Sequence, residues 1–302
     1  MSAAYLVLLV ANLVFSTGYA VTRVVLNDVG PATLGLARVL IGAVLLLGWA
    51  AWQSRSRRRR GSARVRWTTG DRVRVALMGV VGFALAFAFG NWGLAHSTAS
   101  NAALLITVEP TTLLVLSPLL LGERLTRRET VGAALTLLGA VVVVVNGVPG
   151  LTRSLMPHWR GDLVLILSGA AYAGYSLLGR DVLSRHPVSL VTAHSVVWGA
   201  VSIAPLALYE WHVGPPPAWT AAAIAGTVYL GVVITALGYG VWNWCLERVG
   251  AARVAAFVNV QPLAGALLGV WWLREPVTPF MVAGGLLIVA GLHLTVNGAR
   301  RG

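Results

Sequence analysis

Stretches of roughly 20 residues that are almost wholly apolar follow one another along nearly the whole chain. About 20 helical residues at 1.5 Å rise cross a hydrocarbon layer about 30 Å thick. The structures that can cross it are helices and closed β-barrels. A barrel strand alternates polar and apolar residues, and neither "LVLLVANLVF" (6–15) nor "GAVVVVVNG" (139–147) does so. The chain therefore reads as an all-α integral membrane protein. Composition agrees, with 57% hydrophobic and 11% charged residues against about 25% charged in an ordinary soluble domain.

Apolar windows between breakers give ten transmembrane helices, at about 4–26, 31–52, 73–95, 99–121, 129–147, 161–183, 187–210, 220–246, 252–273 and 279–297. A polar segment, "GVPGLTRSLMPHWRGD", interrupts the pattern near the middle. It divides the chain into a first half, 1–147, a connector, 148–160, and a second half, 161–302. No basic residue precedes Arg23, so the first apolar run is expected to be a retained span rather than a signal peptide.

The net charge of +13 comes from 23 basic residues, all of them arginine. Nine lie in the loop "SRSRRRRGSARVRWTTGDRVR" after the second helix, the pattern of a cytoplasmic loop. Alternating sides from there puts both termini in the cytoplasm, with 18 arginines inside, four outside and Arg38 within a span. That bias explains the charge by topology and by attraction to anionic membrane lipid, and it removes the case for nucleic acid as a partner. A multi-pass protein of the cell membrane is the expectation, and both a monomer and a homodimer fit the sequence.

Shifting the first half by 152 residues gives one ungapped register over about 79–139. In it Gly79, Ala84, Asn91, Trp92, Pro110, Glu123, Gly132 and Gly139 meet Gly231, Ala236, Asn243, Trp244, Pro262, Glu275, Gly284 and Gly291. Earlier helices match more weakly at a shift of 156, where "PATLGLAR" (31–38) pairs with "PVSLVTAH" (187–194). The unit is five helices used twice. Five is odd, so the second copy runs upside down relative to the first, as an inverted repeat. The charges follow the inversion: "NWGLAHSTASN" (91–101) has no arginine, whereas "NWCLERVGAAR" (243–253), on the opposite side, has two. Two similar halves that exchange conformations suit alternating access of a central site, so transporter is the leading class.

The pentapeptide "GERLT" (122–126) after a proline-bearing helix, its copy "REPVT" (274–278), and two five-helix halves together resemble the drug/metabolite transporter superfamily, in particular its ten-helix EamA-type members. The resemblance spans essentially the whole chain. It implies secondary transport of a small metabolite, often efflux. In the first helix near "VFST", where such proteins often carry tryptophan, this chain has Phe15 and Ser16.

Glu109 lies about nine residues into the fourth span, roughly 13 Å below the surface, where a carboxylate is costly and usually functional. Pro110 follows it, so the helix is expected to kink or unwind beside the carboxylate. Arg38 lies at a similar depth, and the plain alternative is an ion pair between the two that serves packing alone. In the second half Gln261 takes the place of Glu109, and His194 that of Arg38. Asn12, Tyr19, Tyr175, Tyr239, Trp242 and Asn259 are polar or amphipathic within spans and could line a cavity for an organic solute. Asn91 sits near a helix end, where amides commonly bond between helices. A proton taken up by Glu109 on one side and released on the other would couple transport to a proton gradient.

The one cysteine, Cys245, and six scattered histidines form no metal spacing, nucleotide loop or nucleophile constellation. No cofactor, metal or enzymatic activity is expected. The expected activity is secondary active export of a small organic metabolite, an amino acid, a related metabolite or a drug. A lipid or lipid-precursor flippase, or an uptake carrier of the same fold, is the alternative.

Overall fold

A computed structural model describes residues 3–59, 66–121, 126–145, 158–238, 241 and 260–299. Among them the helices are, in chain order, α1 (Ala3–Val25), α2 (Pro31–Arg59), α3 (Thr69–Ala95), α4 (two segments, Ala99–Leu105 and Val108–Leu121), α5 (Arg127–Val145), α6 (Trp159–Arg185), α7 (Val188–Val213), α8 (Ala221–Leu237), α9 (Val260–Trp272) and α10 (Pro279–Ala299). Seven helical stretches, drawn from α1 to α7, are long and apolar enough to cross a membrane, and α8, α9 and α10 contain shorter apolar helices. Large apolar side chains face outward, including Val44 at 71%, Leu267 at 68% and Trp271 at 81% exposed. A surface of this kind is suited to lipid rather than water.

Threonine begins several of the helices. Thr68 caps α3 in a reciprocal box with Asp71, the Asp71 amide donating to Thr68 Oγ1 and the Thr68 amide to Asp71 Oδ2, both at 3.1 Å. Thr98, Thr220 and Thr278 each accept an amide bond of 3.1 Å at the starts of α4, α8 and α10. Within α3 the segment Gly79–Leu85 is wound as a π-helix, and within α8 so is Leu230–Leu237. These two wide turns occupy matching places in the 152-residue register.

The helices pack through small residues. A Cβ placed on Gly132 would lie 2.6 Å from the Gly291 carbonyl oxygen, and one on Gly139 would lie 2.6 Å from that of Gly284. Such close approach of backbones is how membrane helices gain contact when lipid offers no hydrophobic advantage. Because 132 meets 291 while 139 meets 284, α5 and α10 run antiparallel. In the same way Ala103 meets Gly265 and Ser100 meets Gly269, so α4 and α9 are antiparallel. Gly35 lies against Ile203, and the Ser189 hydroxyl donates to Gln53, so α2 and α7 are antiparallel as well. One buried cluster joins α2, α3, α7 and α8 around Phe83, Val39 and Ile203. A second joins α3, α4, α5, α6, α9 and α10 around Leu105, Val143 and Ile288.

Two carboxylates reach across the bundle to cap helices that are not their own. Glu275, beyond α9, accepts from the amides of Ala99 (2.6 Å) and Ser100 (2.8 Å) and from the Ser100 hydroxyl (2.5 Å) at the start of α4. Glu210 of α7 accepts from the Ala32 and Thr33 amides, both at 2.9 Å, at the start of α2. Negative charge at a helix N-terminus is doubly favourable, since it satisfies orphan amides and meets the positive end of the helix dipole.

Candidate functional site

The helix α4 is broken at Ile106 and Thr107, one turn before Pro110. Proline has no amide to give the carbonyl four residues earlier, and its ring crowds that carbonyl. The Ile106 carbonyl accepts instead from the Glu109 amide at 2.9 Å, and the Thr107 hydroxyl donates to the Leu104 carbonyl at 2.6 Å. The second segment thus starts afresh at Val108, with Glu109 in its first turn, where the helix dipole favours a carboxylate. From α6, Gly169 lies close against this break, and a Cβ there would sit 3.2 Å from the Glu109 amide nitrogen.

Glu109 borders a cavity of about 250 Å³ bounded by α1, α2, α3, α4, α6, α8 and α9. Its polar lining includes Arg38, Glu109, Asn91 and Gln261, with Tyr19, Thr22, Ser168 and Tyr172 among them; Phe15, Phe87, Leu165 and Ile234 supply apolar wall. The Arg38 Nε donates to Thr235 Oγ1 at 2.9 Å, and its Cζ lies 4.4 Å above the centre of the Phe87 ring. The Gln261 amide donates to Asn12 Oδ1 at 2.8 Å, and Asn12 in turn donates to the Leu8 carbonyl at 2.7 Å. An acid, a base, tyrosine hydroxyls and aromatic faces in one small chamber can hold a compact organic molecule that carries both signs of charge. Among the described residues no three His, Cys, Asp or Glu side chains gather as a metal site.

Of the residues singled out in the sequence, Arg38, Glu109, Asn91, Gln261 and Tyr19 meet at this cavity. Asn91 also ties α3 to α2, donating to the Pro31 carbonyl at 3.0 Å. Asn12 is fully buried behind Gln261 rather than on the lining. Tyr175 stands edge-on to Phe83, ring centres 5.5 Å apart, and covers Gly82 rather than the chamber. His194 is placed elsewhere. It is exposed, its Nδ1 pairs with the Leu190 carbonyl at 2.7 Å, and its ring lies 5.5 Å from that of Trp67. The cause is its helix face: four and seven residues on stand Trp198 and Val201, both exposed, so the three form one outward stripe. Tyr239, Trp242 and Asn259 lie outside the described residues.

Thr22, Phe87, Ser168, Tyr172 and Thr235 join the site without having stood out in the sequence. Ser168 and Tyr172 lie four apart on α6, and Leu165 precedes Ser168 by three, so all share one face; that spacing was the available signal. Thr235 joins the site only because the π turn of α8 presents it to α2, and no residue pattern announces a π turn.

The profile of the EamA-like transporter family matches the chain twice, over residues 2–145 and 159–297. An uncharacterized transporter of Archaeoglobus fulgidus is 26% identical over 97% of both chains. A protein of Streptantibioticus cattleyicolor described as a "probable terminal-alkyne amino-acid exporter" is 29% identical, over 97% of this chain and 93% of its own. A "probable amino-acid metabolite efflux pump" of Salmonella typhimurium is 26% identical over 76% of this chain and 80% of its own. A solved crystal structure superposes over 100% of this chain and 99% of its own with a TM-score of 0.64, at 21% identity, a likeness of fold. With its two matches covering nearly all 302 residues and its apolar helices packed around a polar chamber, the chain belongs to the EamA-like transporter family.

Proposed function

We propose that the protein is a secondary active exporter of a small zwitterionic metabolite of the amino-acid kind, working by alternating access of the chamber between its two halves. The observation that carries this is the meeting of Arg38 and Glu109 in one cavity of about 250 Å³. A carboxylate on the solute suits the guanidinium, an ammonium group suits Glu109, and the aromatic wall suits a compact side chain. The names of relatives described as amino-acid exporters and efflux pumps point the same way.

Alternating access requires two halves of opposite orientation. Ten spans, with 1–147 and 161–302 as inverted units, account for the antiparallel packing of α2 on α7, α4 on α9 and α5 on α10, each of which pairs a helix with its register counterpart. Glu109 carries the proton in this scheme, entering the chamber protonated from one side and discharging to the other. Both termini then face the cytoplasm, and the membrane is the cell membrane.

The test is counterflow in proteoliposomes with a panel of labelled neutral amino acids, with and without a pH gradient. Saturable exchange that the gradient accelerates is expected, and Glu109→Gln should raise KM for exchange while losing the acceleration altogether. Proton-driven transport surviving in Glu109→Gln would refute the coupling. Cysteines introduced at 124 and 274 in a Cys245→Ser background should label from opposite compartments; labelling from one compartment would refute the inversion.

A further inference from the structure

We infer that Thr235, held on the π turn of α8, is the positioning residue that sets the guanidinium of Arg38 for recognition of an anionic group on the solute. The inference rests on the proposed solute site and names what gives that site its selectivity.

Thr235 is buried, at 1% exposure. Its hydroxyl donates to the Leu230 carbonyl at 3.0 Å, five residues back, the spacing of a π turn. A hydroxyl has one proton, so with that proton committed its oxygen faces Arg38 as an acceptor, and Arg38 Nε donates to it at 2.9 Å. The methyl group is fixed too: a Cβ on Gly42 would lie 2.8 Å from Thr235 Cγ2. Arg38 and Gly42 are one turn apart on α2, so Thr235 is wedged between the side chain it orients and the bare backbone that makes room for it.

The constraints on this planar group include a bond at Nε and the Phe87 ring beneath Cζ. Together they fix the plane of the guanidinium as well as its position, and a fork presented in a fixed plane is what bidentate binding of a carboxylate or phosphate requires. The other half provides a natural contrast. In its π turn, Gly79–Leu85, the register counterpart of Thr235 is Phe83, which is fully buried and packs on Gly199, Phe87 and Tyr175. There Gly199 meets Phe83 as Gly42 meets Thr235, so the place of Arg38, one turn before, falls to Ser195, which is buried and donates to the Thr192 carbonyl at 2.9 Å. The π turn is present in both halves, but of the two turns the hydroxyl occurs only in the one that faces the arginine of the chamber.

Thr235→Val keeps the shape and removes the acceptor, and Thr235→Ser keeps the acceptor. Two measurements on the full-length protein separate this inference from the reading beneath it. The first is the arginine 15Nε–1H resonance that disappears in Arg38→Lys. It should be protected from solvent exchange in the parent and in Thr235→Ser, and at least tenfold less protected in Thr235→Val; equal protection in Thr235→Val would overturn the inference. The second is counterflow of L-leucine, L-methionine and L-phenylalanine, each compared with its decarboxylated amine. Thr235→Val should raise KM at least tenfold for the amino acids, with maximal rate within twofold and the amines unaffected, and Thr235→Ser should restore KM to within threefold. An equal effect on amines and amino acids would overturn selectivity for the anionic group. If the parent moves none of these solutes, the proposed solute class fails, while the resonance still judges the placement of Arg38.

Discussion

Backbones approach closely along the seam between α5 and α10, and Gly139→Ala tests that approach. The added Cβ would lie 2.6 Å from the Gly284 carbonyl oxygen and 2.8 Å from Ile288 Cγ1, where ordinary contact begins at 3.4 Å. The obstacle at Gly284 is backbone, which no rotamer change can relieve, so the helices must separate by several tenths of an ångström along the seam. Overpacking of this kind costs about 1–3 kcal/mol, set against a gain of up to about 1 kcal/mol for alanine over glycine in a helix interior. The net expectation is a loss of about 1–2 kcal/mol. Gly48→Ala is the matched control: a Cβ there meets nothing within 4 Å, so only the helix-propensity gain applies and stability should rise by up to about 1 kcal/mol. Fraction folded against dodecyl sulfate mole fraction in mixed micelles measures both. The register makes a stricter demand, because a Cβ on Gly291 would lie 2.5 Å from the Gly132 carbonyl oxygen, the counterpart of the Gly139 contact. Gly291→Ala should cost the same as Gly139→Ala within about 0.5 kcal/mol. If Gly139→Ala proves as stable as Gly48→Ala, the backbones do not approach as described and the inference of close antiparallel packing is wrong.

Removal of the carboxylate in Glu275→Ala strips three charge-assisted bonds from the start of α4 and should cost about 2–4 kcal/mol in the same titration; a loss below about 0.5 kcal/mol would show that water replaces the cap. Asp71 and Asp181 make a paired comparison at the arginine-rich end. The Asp71 side chain is 3% exposed, bonds Thr68, and meets Arg185 at 2.9 Å and His186 at 3.0 Å, so Asp71→Ala should cost about 2–3 kcal/mol. Asp181 pairs with Arg74 in the open, with side chains 63% and 43% exposed, and Asp181→Ala should change stability by less than about 0.5 kcal/mol. Equal costs for the two would show that burial does not set the worth of these carboxylates.

What the sequence made legible follows hydropathy and proline chemistry. The placement of α1 and of α4 through α7 within a few residues, and the unwinding one turn before Pro110, both rest on local rules that lipid enforces strongly. Helix ends in water are harder to read. Hydropathy stops the second helix near 52, but it runs to Arg59, because arginine is a good helix former and hydropathy registers only where the lipid ends. Hydropathy starts the third near 73, but it begins at Thr69, since the Thr68–Asp71 capping box lies in a segment too polar to read as a span. The site residues divide in the same manner. Charge in an apolar run marks Arg38 and Glu109, whereas Tyr172 and Thr235 depend on which helix faces meet. The register also carries a false implication: the sequence pairs Arg38 with His194, but Gly42 meets Thr235 as Gly199 meets Phe83, which puts Ser195 in the place of Arg38, and one residue turns a helix by about 100°.

That asymmetry bears on how the chamber can work. The backbone repeats its features, down to the two π turns and the glycine pairs of α5 and α10, and in the proposed scheme that likeness would keep an exchange between halves nearly balanced in packing. The charges are not repeated. Both come from the first half, Arg38 on α2 and Glu109 on α4, and the second half contributes the neutral Gln261 and Thr235 that accompany them. In the proposed scheme a solute bound between them keeps the same charged partners while the walls move, so binding would bias the exchange through contacts that differ between its two end states. Two neutral groups of the second half are tied to the first: Gln261 to Asn12 of α1, and Thr235 to Arg38 of α2. Both bonds span the two halves. In the proposed alternating-access scheme, rocking of one half against the other must therefore break or carry these two links.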